Sequence, residues 1–341
     1  MEKYKFEFSP KTRVLVTGAT GFTGSVLVRK LVKLGLDVVA IARPNSNTEH
    51  LQDLPIEWIR GNVFDEKIVK KAVKGVNYIF HVASPYREPK SSDKTYYDVH
   101  VLGTQILAKA ALNEVNFKRF VHVSTVGVHG NIEKPPADEN YTINPGDIYQ
   151  KTKADAEVWF KNFAEKENLP FTVVRPTAIY GPGDKRLLII YKMVCRKWVP
   201  MVGGKNHLYH LVHVNDLTDF LIVTAVHPKA AGEVFICGSQ KAVTYKEMVS
   251  VIGNYYGINV RFIKLPYNLL YSLGYFFELM FRPLRIEPPI YRRRVDFYKK
   301  DRCFNTEKMR NVLGFINAYS DEQGLEETAQ WYLEQEWIDL K

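Results

Sequence analysis

The 341-residue chain is predicted to fold as an α/β protein: a doubly wound parallel sheet carrying a smaller, mainly C-terminal lobe. Three observations predict it. Short apolar runs near 13–17, 37–42, 56–59, 77–82, 119–124 and 171–175 alternate with helical patterns near 22–34, 65–74, 95–113 and 149–167. Alternation of that kind implies parallel strands joined by right-handed crossovers. Three glycines spaced three apart, Gly18, Gly21 and Gly24, stand where the first apolar run passes into the first helical pattern. The alternation stops at Gly181-Pro182-Gly183, and beyond it the periodicity is irregular. The expected division is a nucleotide domain of 11–180 and 211–238, with 181–210 and 239–341 forming the lobe over it.

The first strand-to-helix turn, Val14-Leu15-Val16-Thr17-Gly18-Ala19-Thr20-Gly21-Phe22-Thr23-Gly24, reads as a phosphate cradle. Glycine supplies positive φ and lets a pyrophosphate approach the backbone, and the first-turn N–H groups of a helix attract its charge. A tight turn without a ligand would use the same residues. The second run, Asp37 to Ala42, ends about 20 residues after the glycines, where an acidic side chain would bind the 2′-hydroxyl of NAD. Arg43 stands there instead. A guanidinium can fork onto a 2′-phosphate, which favours NADP, with NAD as the alternative.

Arg119 to Ser124 reads as the fifth strand, and Thr125 follows it with a hydroxyl able to bond a substrate oxygen. Tyr149 and Lys153 lie four apart on the next helical pattern, hence on one face, close enough for the ammonium to lower the phenol's pKa and make it a proton carrier. An exposed Tyr–Lys pair is the plain alternative.

Together these segments resemble the extended short-chain dehydrogenase/reductase superfamily, the NAD-dependent epimerase/dehydratase family, whose fold is the Rossmann fold. TGATGFTG resembles its glycine motif, so the resemblance implies cofactor contacts from Gly18, Thr20, Gly21, Phe22, Thr23 and Gly24. Gly61-Asn62-Val63 is similar to the adenine-side motif, with Asn62 in place of Asp, and implies contacts from Asn62 and Val63. IFHVASP resembles the end of the fourth strand, implying Ala83 and Ser84 at the cofactor and Pro85 and Tyr86 at the substrate. HVSTVGVHG places Ser124 beside the cofactor and Thr125 in a triad with Tyr149 and Lys153. RPTAIYGPGD resembles the element that meets the nicotinamide amide through Pro176 and Ile179, and LVHVNDL resembles the return strand and helix. One departure is His100, which stands where the family usually carries Asn in support of the catalytic lysine.

By the same resemblance Tyr149 transfers the proton, Lys153 binds the ribose and Thr125 orients the oxygen during hydride transfer. Nucleotide-sugar enzymes of this branch typically place an arginine before the return strand to grip the diphosphate; here Tyr209 takes its place, so it is assigned to the substrate. The wording is closest to the 3β-hydroxysteroid dehydrogenase and dihydroflavonol reductase-like branch, which implies a secondary alcohol or ketone on an apolar, steroid- or isoprenoid-like skeleton. The alternatives are a nucleotide-sugar epimerase or dehydratase, and a non-catalytic NADP-binding sensor; an intact triad argues against the sensor.

Composition agrees with a globular protein, at 46% hydrophobic and 25% charged residues. Three cysteines outside any C-x-x-C spacing argue against a disulfide framework or a metal site and suit a reducing compartment, and Met1 to Pro10 lacks the apolar core of a secretory signal, so a cytoplasmic location is expected. The net charge of +10 meets no recognisable nucleic-acid module. Leu265 to Phe281 is aromatic-rich but too short to span a bilayer. Arg282, Arg285, Arg292, Arg293, Arg294, Lys299, Lys300 and Arg302 follow it, so 264–302 is either a lid over the cleft or a basic element resting on an anionic membrane surface. A homodimer is a further expectation.

Overall fold

The computed structural model describes residues 8–85, 92–203, 207–281, 288, 292, 295 and 301–340. Seven parallel strands form the central sheet: β1 (Arg13–Thr17), β2 (Asp37–Ala42), β3 (Ile56–Arg60), β4 (Tyr78–His81), β5 (Arg119–Val123) and β6 (Phe171–Pro176), with β11 (Glu233–Cys237) at the edge. Their spatial order is β11-β6-β5-β4-β1-β2-β3. The chain therefore reverses direction across the sheet between β1 and β4, the place where doubly wound sheets open a crevice at the carboxyl ends of their strands.

Helices cover both faces: α1 (Phe22–Lys33), α2 (Glu66–Val73), α3 (Asp93–Tyr97), α4 (Gly103–Ala111), α5 (Ile148–Lys166) and α7 (Val214–Val226), with α6 (Leu188–Cys195) in the second lobe. The β-branched strand residues feed two cores. One holds Val14, Val16 and Phe80 against Leu27 and Leu31 of α1 and Phe220 of α7. The other holds Leu15, Ile79 and Phe120 against Leu107 of α4 and Phe160 of α5. The continuous pattern expected over 95–113 is interrupted: between α3 and α4 the backbone makes a π-turn, Asp98–Leu102, centred on His100.

Four short strands, β7 (Ala178–Tyr180), β8 (Trp198–Val202), β9 (Leu208–Tyr209) and β10 (Leu211–His213), with β12 (Val243–Thr244) and β13 (Arg261–Leu265), make three two-stranded ladders. Around them pack α6, α8 (Tyr245–Tyr255) and α11 (Asp321–Glu334), and a third core joins Tyr191, Val249 and Tyr332. α8 and α11 each begin with a capping box, Thr244 with Glu247 and Ser320 with Gln323. The segment 239–341 is not all of one lobe. Met309 and Leu313 of α10 (Glu307–Leu313), with Phe315, pack in the core beneath α1 and α7. Asp216 of α7 accepts hydrogen bonds from the Ala318 and Tyr319 amides, tying the start of α11 to the sheet domain. α9 (Tyr267–Phe281) stands apart, with Gly274 its only buried residue among those described.

Candidate active site

The glycine turn is built so that nothing larger fits. Gly18 has φ +76°, and a Cβ there would lie 2.8 Å from the Ala83 Cα. A Cβ on Gly24 would overlap the Gly18 carbonyl oxygen. The helix therefore approaches β1 more closely than side chains permit, which leaves the first turn of α1 facing the crevice between β1 and β4. Gly21 caps α1 with no side chain of its own, and no acidic residue stands in that turn to oppose an anion. These features fit a dinucleotide pyrophosphate. Thr23 is buried, whereas Thr20 and Phe22 are half-buried.

The adjoining strand ends are fastened together. Thr17 Oγ1 shares a 2.7 Å hydrogen bond with His81 Nδ1 and accepts one from the Ala83 amide, while His81 Nε2 bonds Thr104 Oγ1 at 3.0 Å. Beyond β2, Arg43 is exposed, and Arg60 reaches across from β3 to donate to the Ser46 carbonyl and to Thr48 Oγ1. Arg60 therefore braces the loop that presents Arg43, a role the sequence reading did not assign. Asn62 is exposed at the end of β3; Val63 is buried against Gly103.

α5 carries the proposed proton machinery, and its cap sets the phase. The Asp147 carboxylate accepts from the Gln150 amide, starting the helix so that Tyr149, Lys153 and Glu157 share one face. Tyr149 is half-buried at the rim. Lys153 is 3% exposed and its Nζ donates to the Val123 carbonyl at the end of β5, 2.9 Å away. Burial pushes its ammonium down to about 8, while the Glu157 carboxylate opposes that shift. Thr125 opens the short helical turn 126–129 by accepting from the Gly127 amide, and Gly127 lies against Gln150 of α5. Thr125 is thereby brought to the first turn of the helix that carries Tyr149.

Glu157 was not singled out from the sequence, where an acid on a helix reads as solvated. It is fully buried. Its carboxylate accepts from Ser124 Oγ at 2.5 Å and from Arg175 Nε and Nη2, and Arg175 Nη1 also donates to the Glu139 carbonyl. Ser124, expected beside the cofactor, thus has its hydroxyl turned toward Glu157. His100 is likewise committed: Nε2 bonds Ser84 Oγ and Nδ1 bonds Thr152 Oγ1, both at 2.9 Å, and its ring lies edge-on to Tyr149 with centroids 5.4 Å apart. It connects the end of β4 to α5 directly through side chains.

Pro85 is half-buried at the end of the β4 segment; Tyr86 lies outside the described residues. Pro176 is buried in β6, and Ile179 packs at the edge of the sheet core. Gly183 has φ +92°, and a Cβ there would come within 3.8 Å of the Phe22 ring, so the Gly-Pro-Gly element runs near the first turn of α1. Tyr209 is not at a surface: it is 3% exposed within the lobe core, its ring 6.1 Å from that of Tyr245. Among the described residues no group of three or more His, Cys, Asp or Glu could hold a metal ion.

Several histidines are neutral by burial. His81 is pushed down to about 3 and His213 to about 4 from the ordinary 6.5, and burial beside His81 and Lys153 drives His122 well below its usual range. Asp321, pushed up to about 6, acts in the opposite sense. The unfolded chain takes up the histidine protons first, so the histidine contribution to stability is complete above about 6.5 and is lost as pH falls toward 3–4. We expect the melting temperature to decline steadily from about pH 7 to about pH 4. A flat profile in circular dichroism melts would contradict this.

The sequence profile of the NAD dependent epimerase/dehydratase family matches residues 14–238. A 3beta-hydroxysteroid-dehydrogenase/decarboxylase, isoform 2, of Arabidopsis thaliana is 26% identical over 345 residues, covering 92% of this chain and 61% of that protein. An N-acetyl-alpha-D-glucosaminyl-diphospho-ditrans,octacis-undecaprenol 4-epimerase of Escherichia coli O157:H7 is 25% identical and covers 93% of this chain and 94% of its own. Among solved structures, that of gox2253 superposes with a TM-score of 0.80 at 25% identity, covering 96% of this chain and all of the other.

Proposed function

From the membership of this chain in the NAD-dependent epimerase/dehydratase family, of the extended short-chain dehydrogenase/reductase type and with 3β-hydroxysteroid dehydrogenases among its relatives, we propose an oxidoreductase that uses NADP and acts on a secondary alcohol or ketone borne on an apolar skeleton. Its relatives include a hydroxysteroid dehydrogenase, a ketoreductase and an epimerase.

One observation carries the substrate class. At the position where a cation would grip a diphosphate, the chain has Tyr209, a phenol buried in the lobe core. A neutral side chain in that setting offers no bidentate clamp for a doubly charged group. The epimerase reading has its own support in the Escherichia coli relative, whose substrate joins a sugar diphosphate to a long isoprenoid.

The first turn of α1 would hold the pyrophosphate, Arg43 the 2′-phosphate, and Lys153 the ribose. When bound, the nicotinamide exchanges a hydride with the carbinol carbon. Tyr149 gives its phenolic proton to the carbonyl oxygen in reduction and takes it back in oxidation, and Thr125 orients that oxygen from the facing turn. His100 steadies the Tyr149 ring from the side while tethering Ser84. A thermal-shift screen with NADPH present, setting sterols and hydroxyketones against UDP-, GDP- and TDP-sugars, tests the substrate class. Stabilisation by nucleotide sugars alone would restore the epimerase.

Arg43 carries the cofactor reading. Arg43→Ala should reduce the preference for NADPH over NADH by about 1–3 kcal/mol, the scale of a charge-assisted hydrogen bond. Calorimetric dissociation constants equal for both cofactors in the parent protein would remove NADP from the proposal. Self-association as a homodimer and contact with a membrane through 264–302 complete the partner reading.

A further inference from the structure

Apart from Asn268, Ser272 and Glu278, α9 is built of apolar and aromatic residues around Gly274, and only part of it is covered. Tyr267, Leu270, Gly274, Phe277 and Phe281 follow the helical period and turn inward. The opposite stripe, Leu269, Leu273, Phe276, Leu279 and Met280, is turned outward, each of the five between 38% and 56% exposed. Contiguous exposed apolar residues of this size mark a contact surface. Glu278 is the helix's one charged residue, and it is neutralised by Arg292, whose Nε donates to its carboxylate at 2.8 Å.

The ladder that leads into α9 bears on the partner. Arg196, Lys197, Arg261 and Lys264 are exposed on and beside the β8–β13 ladder that leads into α9. Trp198 is exposed in the same ladder, with the Arg261 guanidinium 5.4 Å from its ring centre, and Ile263 is exposed two residues on. No Asp or Glu occurs anywhere in 185–215 or in 248–277. An exposed apolar helix face, led into by a ladder that carries an exposed aromatic ring and exposed cations, is complementary to a bilayer whose headgroups are anionic. Over its 15 described residues α9 runs about 22 Å, and no helix among the described residues is long and apolar enough to cross a membrane.

We propose that the outward face of α9, with the cationic rim of Arg196, Lys197, Arg261 and Lys264, docks the protein on anionic phospholipid. Leu269, Phe276 and Met280 enter the acyl boundary while the rim meets the phosphates. The proposal deepens the apolar-substrate reading, since docking there would present the lobe to molecules dissolved in the bilayer, but it rests on a surface away from the proton machinery.

Flotation of the full-length protein with phosphatidylcholine vesicles, with and without phosphatidylserine, tests it. Binding is expected only when phosphatidylserine is present and should weaken steeply with salt. Phe276→Ser, at an exposed site that burdens no core, should weaken partitioning roughly tenfold or more. Lys264→Glu should weaken it about tenfold and steepen the requirement for anionic lipid. A protein left in the soluble fraction at low salt would overturn the assignment, as would binding to phosphatidylcholine alone. Light scattering that showed a dimer abolished by Phe276→Ser would overturn it in favour of a second copy of the chain. Turnover and cofactor affinity, measured on the same variants in detergent-free buffer, separate the two readings. Flotation without activity on apolar ketones sinks the substrate class alone, and activity without flotation sinks the docking surface alone.

Discussion

Tyr149→Phe is expected to lower turnover by roughly 10²–10⁴ while leaving the cofactor dissociation constant nearly unchanged. The substitution removes one oxygen and keeps the ring, which matters because that ring is packed edge-on against His100 and Tyr96 at 5.4 and 6.2 Å. Shape is preserved and the proton is not. Lys153→Met gives the contrast. Its ammonium is held on the Val123 carbonyl below the cleft, so its loss should raise the cofactor's dissociation constant as well as slow turnover. Single-turnover kinetics together with calorimetry on both variants decide the assignment. Near-normal turnover in Tyr149→Phe would remove the phenol from the reaction.

The second large effect is on stability. Arg175 and Glu157 form an ion pair with side chains 3% and 0% exposed, and Arg175→Met would leave the carboxylate buried with Ser124 as its remaining hydrogen-bond donor. Breaking a buried pair from one side typically costs about 3–5 kcal/mol, because a charge is left without compensation. The double substitution Arg175→Met with Glu157→Leu should recover much of that loss, since it removes both charges together. Urea unfolding of the two single variants and the double variant measures the coupling. A loss below about 1 kcal/mol in Arg175→Met would mean that water reaches the carboxylate.

Much of this architecture was legible in the chain because it depends on local chemistry. The glycine triplet, the alternating runs and the four-residue step from Tyr149 to Lys153 each state a backbone requirement or a helical face, and the sheet order and the phase of α5 follow them. What escaped depends on partners distant in sequence. Glu157 reads as a surface acid until Arg175, from a strand begun after α5 has ended, is placed against it. The resemblance expects Tyr209 at the substrate, yet its burial is decided by the ladder with Val243. α10 carries no mark of which core it joins, and its assignment to the sheet domain comes from Met309 and Leu313 fitting beneath α1 and α7.

The π-turn at Asp98–Leu102 has a consequence for how this helix tolerates change in length. A π-turn holds one more residue than the α-helical turn it replaces, so α3 and α4 run in different angular phases along one rod. Losing any one residue between 98 and 102 would restore a single phase and swing α3 by about 100° relative to α4. Tyr96 would leave its place beside Tyr149, and the imidazole at 100 would no longer bridge Ser84 to Thr152. The spare residue is thus a spacer that sets the rotational alignment of two helix halves, one packed on the sheet core and the other beside Tyr149, and a relative that lacks it has to align its own tyrosine at that place by some other contact.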